Sequence, residues 1–417
     1  MEQRGTAGAN ADGTDMGATT EFEPDVVNLL VLSVRRAVKR ELSVVGTDTV
    51  LGELVLGDTD AGEAIAPGMR KAGSLSGLIS GRAGVDWVSD DEGVAVQPGE
   101  ATAAEDGAGA DRHEVDAVWR EAVWRFGLAA RGGAPEGGRK LPGMSSALRA
   151  CLLSALKAAR AEGTVAVRCR HVARALLEVP DSRAREALTL ERLDTTAAAS
   201  ALDRLDAAAR AGTDRPESQG VTMLRKAGVV GKSGNRVTRG LYSWLMGSTA
   251  NGSPMVFAVY LEAARQAIRC GRAEVEPVDL LLGILALDRA LAVAGSPLPP
   301  DLAGVNSAAQ LLRRHGVRQD SLVSSASVSS DSALPSGSGS DEVPRSAAAE
   351  RVRTVAQLSA AEHGSPTVGT VHLLSALLDE SAAGTDAGDG GAVVRLLAAH
   401  QVDVAALRAD LGLRPVG

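Results

Sequence analysis

Residues 368–380 read VGTVHLLSALLDE, and the conformation of this stretch decides the class of the whole chain. Val371, Leu374 and Leu378 recur at intervals of three to four, the period of a helix with one apolar face. Asp379 and Glu380 end that helix before a Gly-rich segment. A competing pattern overlaps it. LLSALLDE, 373–380, also reads as an apolar strand whose terminal acid holds magnesium, and GVVGKSGN, 228–235, as half of the phosphate-cradling loop that goes with such a strand. That loop needs a glycine where Lys226 stands, and the residues before it are not a buried apolar strand. The helix is therefore expected, with Gly231, Lys232 and Ser233 in a flexible connector.

Working outward, a long helical pattern precedes the stretch and a third, LLAAHQV, follows it at 396–402. The same order occurs about ninety residues earlier. Phe257, Leu261, Ala264 and Ile268 make the stripe of a first helix, Val278, Leu281 and Leu285 that of a second, and LLRRHGV, 311–317, matches the third. Two more diverged copies lie further upstream. At 145–188 HVARALLE stands for HLLSALLD, and at 26–66 VGTDTVLGELV stands for VGTVHLLSALL. Between them DAVWREAVWRFGLAARGG, 116–133, predicts an extra helix whose Trp119, Trp124 and Phe126 are expected in core or interdomain packing rather than in recognition.

Composition agrees with helices. Aromatic residues are only 2% of the 417, too few for a sandwich or barrel core of ordinary make-up. The net charge of −8 provides no basic field for nucleic acid or an anionic membrane. Cys151, Cys169 and Cys270 are scattered without metal-ligand spacing, which predicts reduced thiols in a cytoplasmic protein. The first twenty residues lack the apolar core of a signal peptide, and no run approaches the ~18 apolar residues of a membrane span. No nucleophile with an adjacent base, paired carboxylates or metal set is apparent, so neither catalysis nor a cofactor is expected.

The order long helix, VGTVHLLSALL, loop, LLxxHxVDVAALRADL resembles the Clp N-terminal repeat, the helical unit found in tandem at the front of ClpA- and ClpC-type AAA+ unfoldases. Val368, Gly369, Thr370, His372, Leu373, Leu374, Leu377 and Leu378 carry the likeness to the second helix, and Val402 with Asp403 that to the segment after the third. The resemblance implies an all-α chain of two tandem double-repeat domains joined by flexible linkers. A disordered tail, 1–22, would precede a first domain at 23–210, with repeats at about 26–84 and 145–208 and an insertion at 85–144. A linker, 211–254, would lead to a second domain at 255–417, with repeats at about 255–322 and 346–413 and a Ser/Gly-rich loop at 323–345. No AAA+ module follows, so the chain is not expected to drive unfolding by itself.

The implied role is a protein-binding one, with Clp ATPase, adaptor or client proteins as partners; a peptide-like small molecule is the alternative. Family members close to ClpC bind phosphorylated arginine through a motif glutamate, whose positions are here Asp48, Arg170, Val278 and Val371. Only the first keeps a carboxylate, which argues against that recognition. Asp48 and Arg170 remain the candidate ligand contacts. Thr47 and Thr370 are expected to cap their own second helices. His171 and His372, replaced by Thr49 and Asp279 in the other copies, are expected to be held by local hydrogen bonds.

Overall fold

A computed structural model of the chain describes residues 19–57, 59–89, 91, 106–130, 141–212, 215–231, 253–326, 343–380 and 391–412. These residues are predominantly helical, with nineteen helices and four two-residue strands. The first half runs β1 (Glu21–Phe22), α1 (Pro24–Lys39), β2 (Val44–Val45), α2 (Thr47–Leu56), α3 (Asp60–Ile65), α4 (Met69–Gly81), α5 (Asp106–Ala130), β3 (Gly143–Met144), α6 (Ser146–Glu162), β4 (Ala166–Val167), α7 (Cys169–Glu178), α8 (Arg183–Leu190) and α9 (Thr195–Arg210). The second half continues with α10 (Gln219–Lys226), α11 (Pro254–Arg269), α12 (Pro277–Val293), α13 (Pro300–Ala303), α14 (Ala308–Arg314), α15 (Gln319–Ala326), α16 (Ala347–Glu362), α17 (Thr370–Asp379), α18 (Ala392–Ala399) and α19 (Val404–Leu411).

Local chemistry fixes where the long helices begin. Ser145, Ser253 and Ser346 are the N-caps of α6, α11 and α16, each hydroxyl accepting the backbone N–H three residues on. Gly163 closes α6 in the left-handed conformation, at φ +80°. Along α6, Leu148, Cys151, Leu152, Ala155, Leu156 and Ala159 are buried at helical spacing, so one stripe enters the core. In the second half α11 and α12 cross closely because α12 has Gly283 at the contact. A Cβ there would lie 2.7 Å from the Val259 carbonyl.

The strands tie helix beginnings together rather than forming a layer. β1, leading into α1, pairs in parallel with β4, leading into α7. β2, leading into α2, pairs in parallel with β3, leading into α6. The second half has the same two ties in reduced form. Val275, before α12, bridges in parallel to Arg345, before α16, and the Ser253 hydroxyl, before α11, donates to the Val368 carbonyl, before α17.

Apolar side chains gather into two cores, one running from Phe22 to Leu202 and one from Val221 to Leu407. They meet at α5, which packs on α1 and α6 of its own half and on α11 of the other. The contact is held by buried charge. Arg265 reaches Glu21 at 2.8 Å and Glu121 at 3.2 Å, and Arg269 reaches Glu121 at 2.9 Å and also Glu114. Arg289 reaches Glu23 at 2.8 Å and donates to the carbonyls of Thr19 and Val165. Burial disfavours the charged carboxyls of Glu21 and Glu121, yet the surrounding guanidinium groups outweigh it and hold both at about 2.

Four expectations change. Residues 1–18 lie outside the described residues, but 19–22 belong to the fold. Phe22 is fully buried and Glu21 sits in the junction network, so this part of the expected tail is anchored. Within the expected linker 211–254, Gln219–Lys226 is a helix whose Val221, Met223 and Leu224 face the second core. Its apolar residues are too few for a periodic signal amid Gly and Ser. Lys232 and Ser233 of the half-matched phosphate loop lie outside the described residues. The expected loop 323–345 begins inside α15, with Leu322 and Ala326 buried, and ends in the Arg345 bridge. Finally, the third helices stop early. α18 ends at Ala399, and the Asp403 carboxylate caps a separate α19 through the Ala406 N–H at 2.9 Å.

Candidate functional site

The two residues expected to contact a ligand lie in separate clusters and both point inward. Asp48, in the first turn of α2, is 2% exposed, and its Oδ1 has no hydrogen-bond partner. Desolvation, helped by neighbouring Asp91 and opposed by Arg183, pushes its carboxyl up to about 6. Asp91 itself is fully buried where three helices begin. It accepts from the Thr47 N–H and hydroxyl at the start of α2, from the Ser145 hydroxyl before α6, and from the Arg183 N–H at the start of α8. Converging helix N-termini favour an anion, and the chain supplies its own.

Arg170, in the first turn of α7, forks onto Glu162 with contacts of 2.5 and 2.8 Å and also reaches Asp206 at 2.6 Å. Its guanidinium is thereby spent on two carboxylates of its own half, and the expected contact with an external phosphate or carboxylate is not built into this geometry. His171 beside it accepts the Arg168 N–H on Nδ1 at 2.9 Å, which leaves Nε2–H to donate to Glu162 at 2.8 Å. Burial, with Arg170 nearby, lowers the His171 pKa against the pull of Glu162 and so favours the neutral ring.

At the start of α17 the Nδ1 of His372 accepts the Gly369 N–H at 3.0 Å. Asp279 does the same for the Glu276 N–H at the start of α12, at 2.9 Å. The threonines behave differently from the sequence expectation. The N-cap residues of α2 and α17 are Gly46 and Gly369, and neither Thr47 nor Thr370 caps its own helix. Each reaches across to another helix instead. The Ala184 N–H of α8 donates to Thr47 Oγ1 at 3.0 Å, and the Ala308 N–H of α14 donates to Thr370 Oγ1 at 3.4 Å. Gly369 is required by this crossing, because a Cβ would lie 2.1 Å from the Val305 carbonyl.

A different place has a buried polar group without an internal partner. Between α5 and α11 lies a cleft of about 320 Å³. Trp124 and Arg125 form one wall, and Phe257, Leu261, Ala264 and Ile268 the other, so the stripe recognised in the sequence lines this cleft. Val343 and Arg345 also line it. The Tyr260 hydroxyl is buried here and has no hydrogen-bond partner, and burial pushes the phenol up. The Arg345 guanidinium lies over the Tyr260 ring, 4.7 Å from its centre. Sequence reasoning missed both residues. Their signals were faint: Tyr260 is one of two tyrosines in the chain, and Arg345 ends a Ser/Gly-rich stretch.

The three cysteines are free and buried, and burial pushes the thiols of Cys151 and Cys169 up, which makes them poor nucleophiles. Among the described residues no His, Cys, Asp and Glu cluster suits a metal, and no helix is long and apolar enough to cross a membrane. Comparison of the chain with family models, with curated proteins and with solved structures gives no match.

Proposed function

We propose that the chain is a non-enzymatic, cytoplasmic binding protein made of two Clp N-terminal-like double repeats. It engages clients, adaptors or a Clp unfoldase through helix surfaces and thereby regulates or competes in Clp-dependent proteolysis. The observation that carries the reading is the reciprocal tie present in each half. The segment entering the first helix of one copy meets the segment entering the second helix of its mate, and the reverse contact is also made. Each copy in this reading comprises four helices: α1 to α4, α6 to α9, α11 with α12, α14 and α15, and α16 to α19. The helices outside this scheme are α5, α10 and α13.

The polar residues of the motif serve the fold in this reading. Asp48 is buried beside Asp91, and Arg170 is held by Glu162 and Asp206. Phosphoarginine recognition is therefore not part of the proposal. The test is co-sedimentation of the full chain with a purified ClpC-type ATPase and its peptidase, together with the rate at which they degrade a model substrate. A complex, or a dose-dependent change in degradation, is expected. Neither binding nor any rate change at about 10 μM, a concentration that would saturate a micromolar interaction, would overturn it.

A further inference from the structure

The cleft between α5 and α11 combines apolar walls, an unpaired buried donor and excess positive charge. Among the described residues, the charged groups lining it are three guanidinium groups, Arg125, Arg265 and Arg345, and one carboxylate, Glu121. Arg265 is committed to Glu21 and Glu121, and Glu121 is shared further with Arg125 and Arg269. Besides its place over the Tyr260 ring, Arg345 makes among the described residues a loose contact of 3.7 Å to Glu350, and that carboxylate already bonds Arg353. The Tyr260 hydroxyl is a donor in a residue only 6% exposed, a position where an unsatisfied polar group is normally costly.

We infer that this cleft binds an amphiphilic monocarboxylate, an apolar or aromatic body lying between Trp124 and Leu261 while its carboxylate accepts from the Tyr260 hydroxyl and the Arg345 guanidinium. The walls supply apolar contact, and the two donors supply orientation, the usual division of labour in a small-ligand site. At about 320 Å³ the cleft suits a ligand of amino-acid size. A phosphate ester is the poorer fit, because phosphate recognition uses clustered arginines and here one loosely paired guanidinium faces the phenol. The carboxylate arrives either on a free aromatic acid or as the terminal residue of a peptide, and the two share the same contacts. The site is independent of whether a Clp ATPase binds elsewhere on the chain.

The test is calorimetric titration of the full chain with two pairs of probes: indole-3-acetate against its primary amide, and a hexapeptide ending in phenylalanine with a free against an amidated C-terminus. One or both acids are expected to bind saturably below about 1 mM, with the matching amide about tenfold weaker or worse, the size of a lost charge-assisted hydrogen bond. Whichever acid binds identifies the source. Tyr260→Phe removes only an oxygen that has no partner, so the variant should have a thermal midpoint no lower than the parent's while losing a similar factor in affinity. Arg345→Gln should weaken the acids and leave the amides unchanged. Equal binding of acid and amide, undiminished affinity in Tyr260→Phe, or no saturable binding by any probe would each overturn the assignment.

Discussion

At the N-terminus of α2 the Thr47 N–H donates to Asp91, and the Thr47 oxygen receives the Ala184 N–H of α8. At the N-terminus of α17 the Thr370 N–H donates to the Asn306 amide oxygen at 3.0 Å, and the Thr370 oxygen receives the Ala308 N–H of α14. The backbone demands are the same, since the first N–H groups of any helix need acceptors. The acceptors come from unrelated places: Asn306 lies just before α14, and Asp91 lies in the insertion. The first half thus holds a buried carboxylate, with a second, Asp48, at its side. The second half holds a neutral amide, with Val371 at the position of Asp48. Geometry at these two helix starts is common, while between them the charge, and the pH dependence that follows from it, belongs to the start of α2.

The largest effect that would sharpen this contrast comes from the acceptors themselves. Asp91→Ala leaves two N–H groups and two hydroxyls without their acceptor and is expected to cost about 3 kcal/mol, even with its repulsion of Asp48 relieved. Asn306→Ala removes two hydrogen bonds, one from the Thr370 N–H and one to the Leu302 carbonyl, and is expected to cost about 1–2 kcal/mol. Urea midpoints of the two variants measure the difference, and equal losses would break the comparison.

Next comes a gain. The Asp48 carboxyl stands at about 6 in the folded chain against an ordinary 3.8, so the fold binds its proton more tightly than the unfolded chain does. Its contribution is most favourable below pH 3.8 and is lost as the pH rises through 6. Asp48→Asn is therefore expected to stabilise by on the order of 2 kcal/mol above pH 7 and by little near pH 3.5. Thermal midpoints across that range read it out. A pH-independent effect would show that Asp48 is not desolvated as described.

The smallest effects concern the threonines. Thr47→Val removes an acceptor for α8 and a donor to Asp91, and about 1–2 kcal/mol should be lost. Thr370→Val removes a longer contact to α14, and about 0.5–1 kcal/mol should be lost. Reversal of that order in denaturant midpoints would mean that the Asp91 cluster contributes less than its hydrogen bonds suggest.

Much of the helical framework was legible because its signal is periodic. Leu281 with Leu285 and Leu374 with Leu378 are buried as their spacing implies. The short helices α15 and α19 were not legible as separate elements, since each is eight residues long and carries a short stripe. Capping across the chain was equally invisible, because Thr47 and Ala184 are 137 residues apart and periodicity speaks only of neighbours. The cleft was half legible. Phe257, Leu261, Ala264 and Ile268 were recognisable as a stripe, but a stripe does not say what it faces, and here it faces α5. Asp48 and Arg170 are the charged residues among the four motif positions that the resemblance implies, and neither position nor charge says what surrounds a side chain. Their partners, Asp91 with Arg183 and Glu162 with Asp206, come from folding.

The central claim, that the charged motif residues at these helix starts are already satisfied or buried within the chain, is tested most directly by calorimetric titration of the full protein with a phosphoarginine-containing peptide. The account predicts no saturable heat up to about 1 mM, weaker than about −4 kcal/mol of binding free energy. Saturable binding that disappears in Arg170→Ala or Asp48→Ala would contradict it, because those side chains would then be available to a ligand after all.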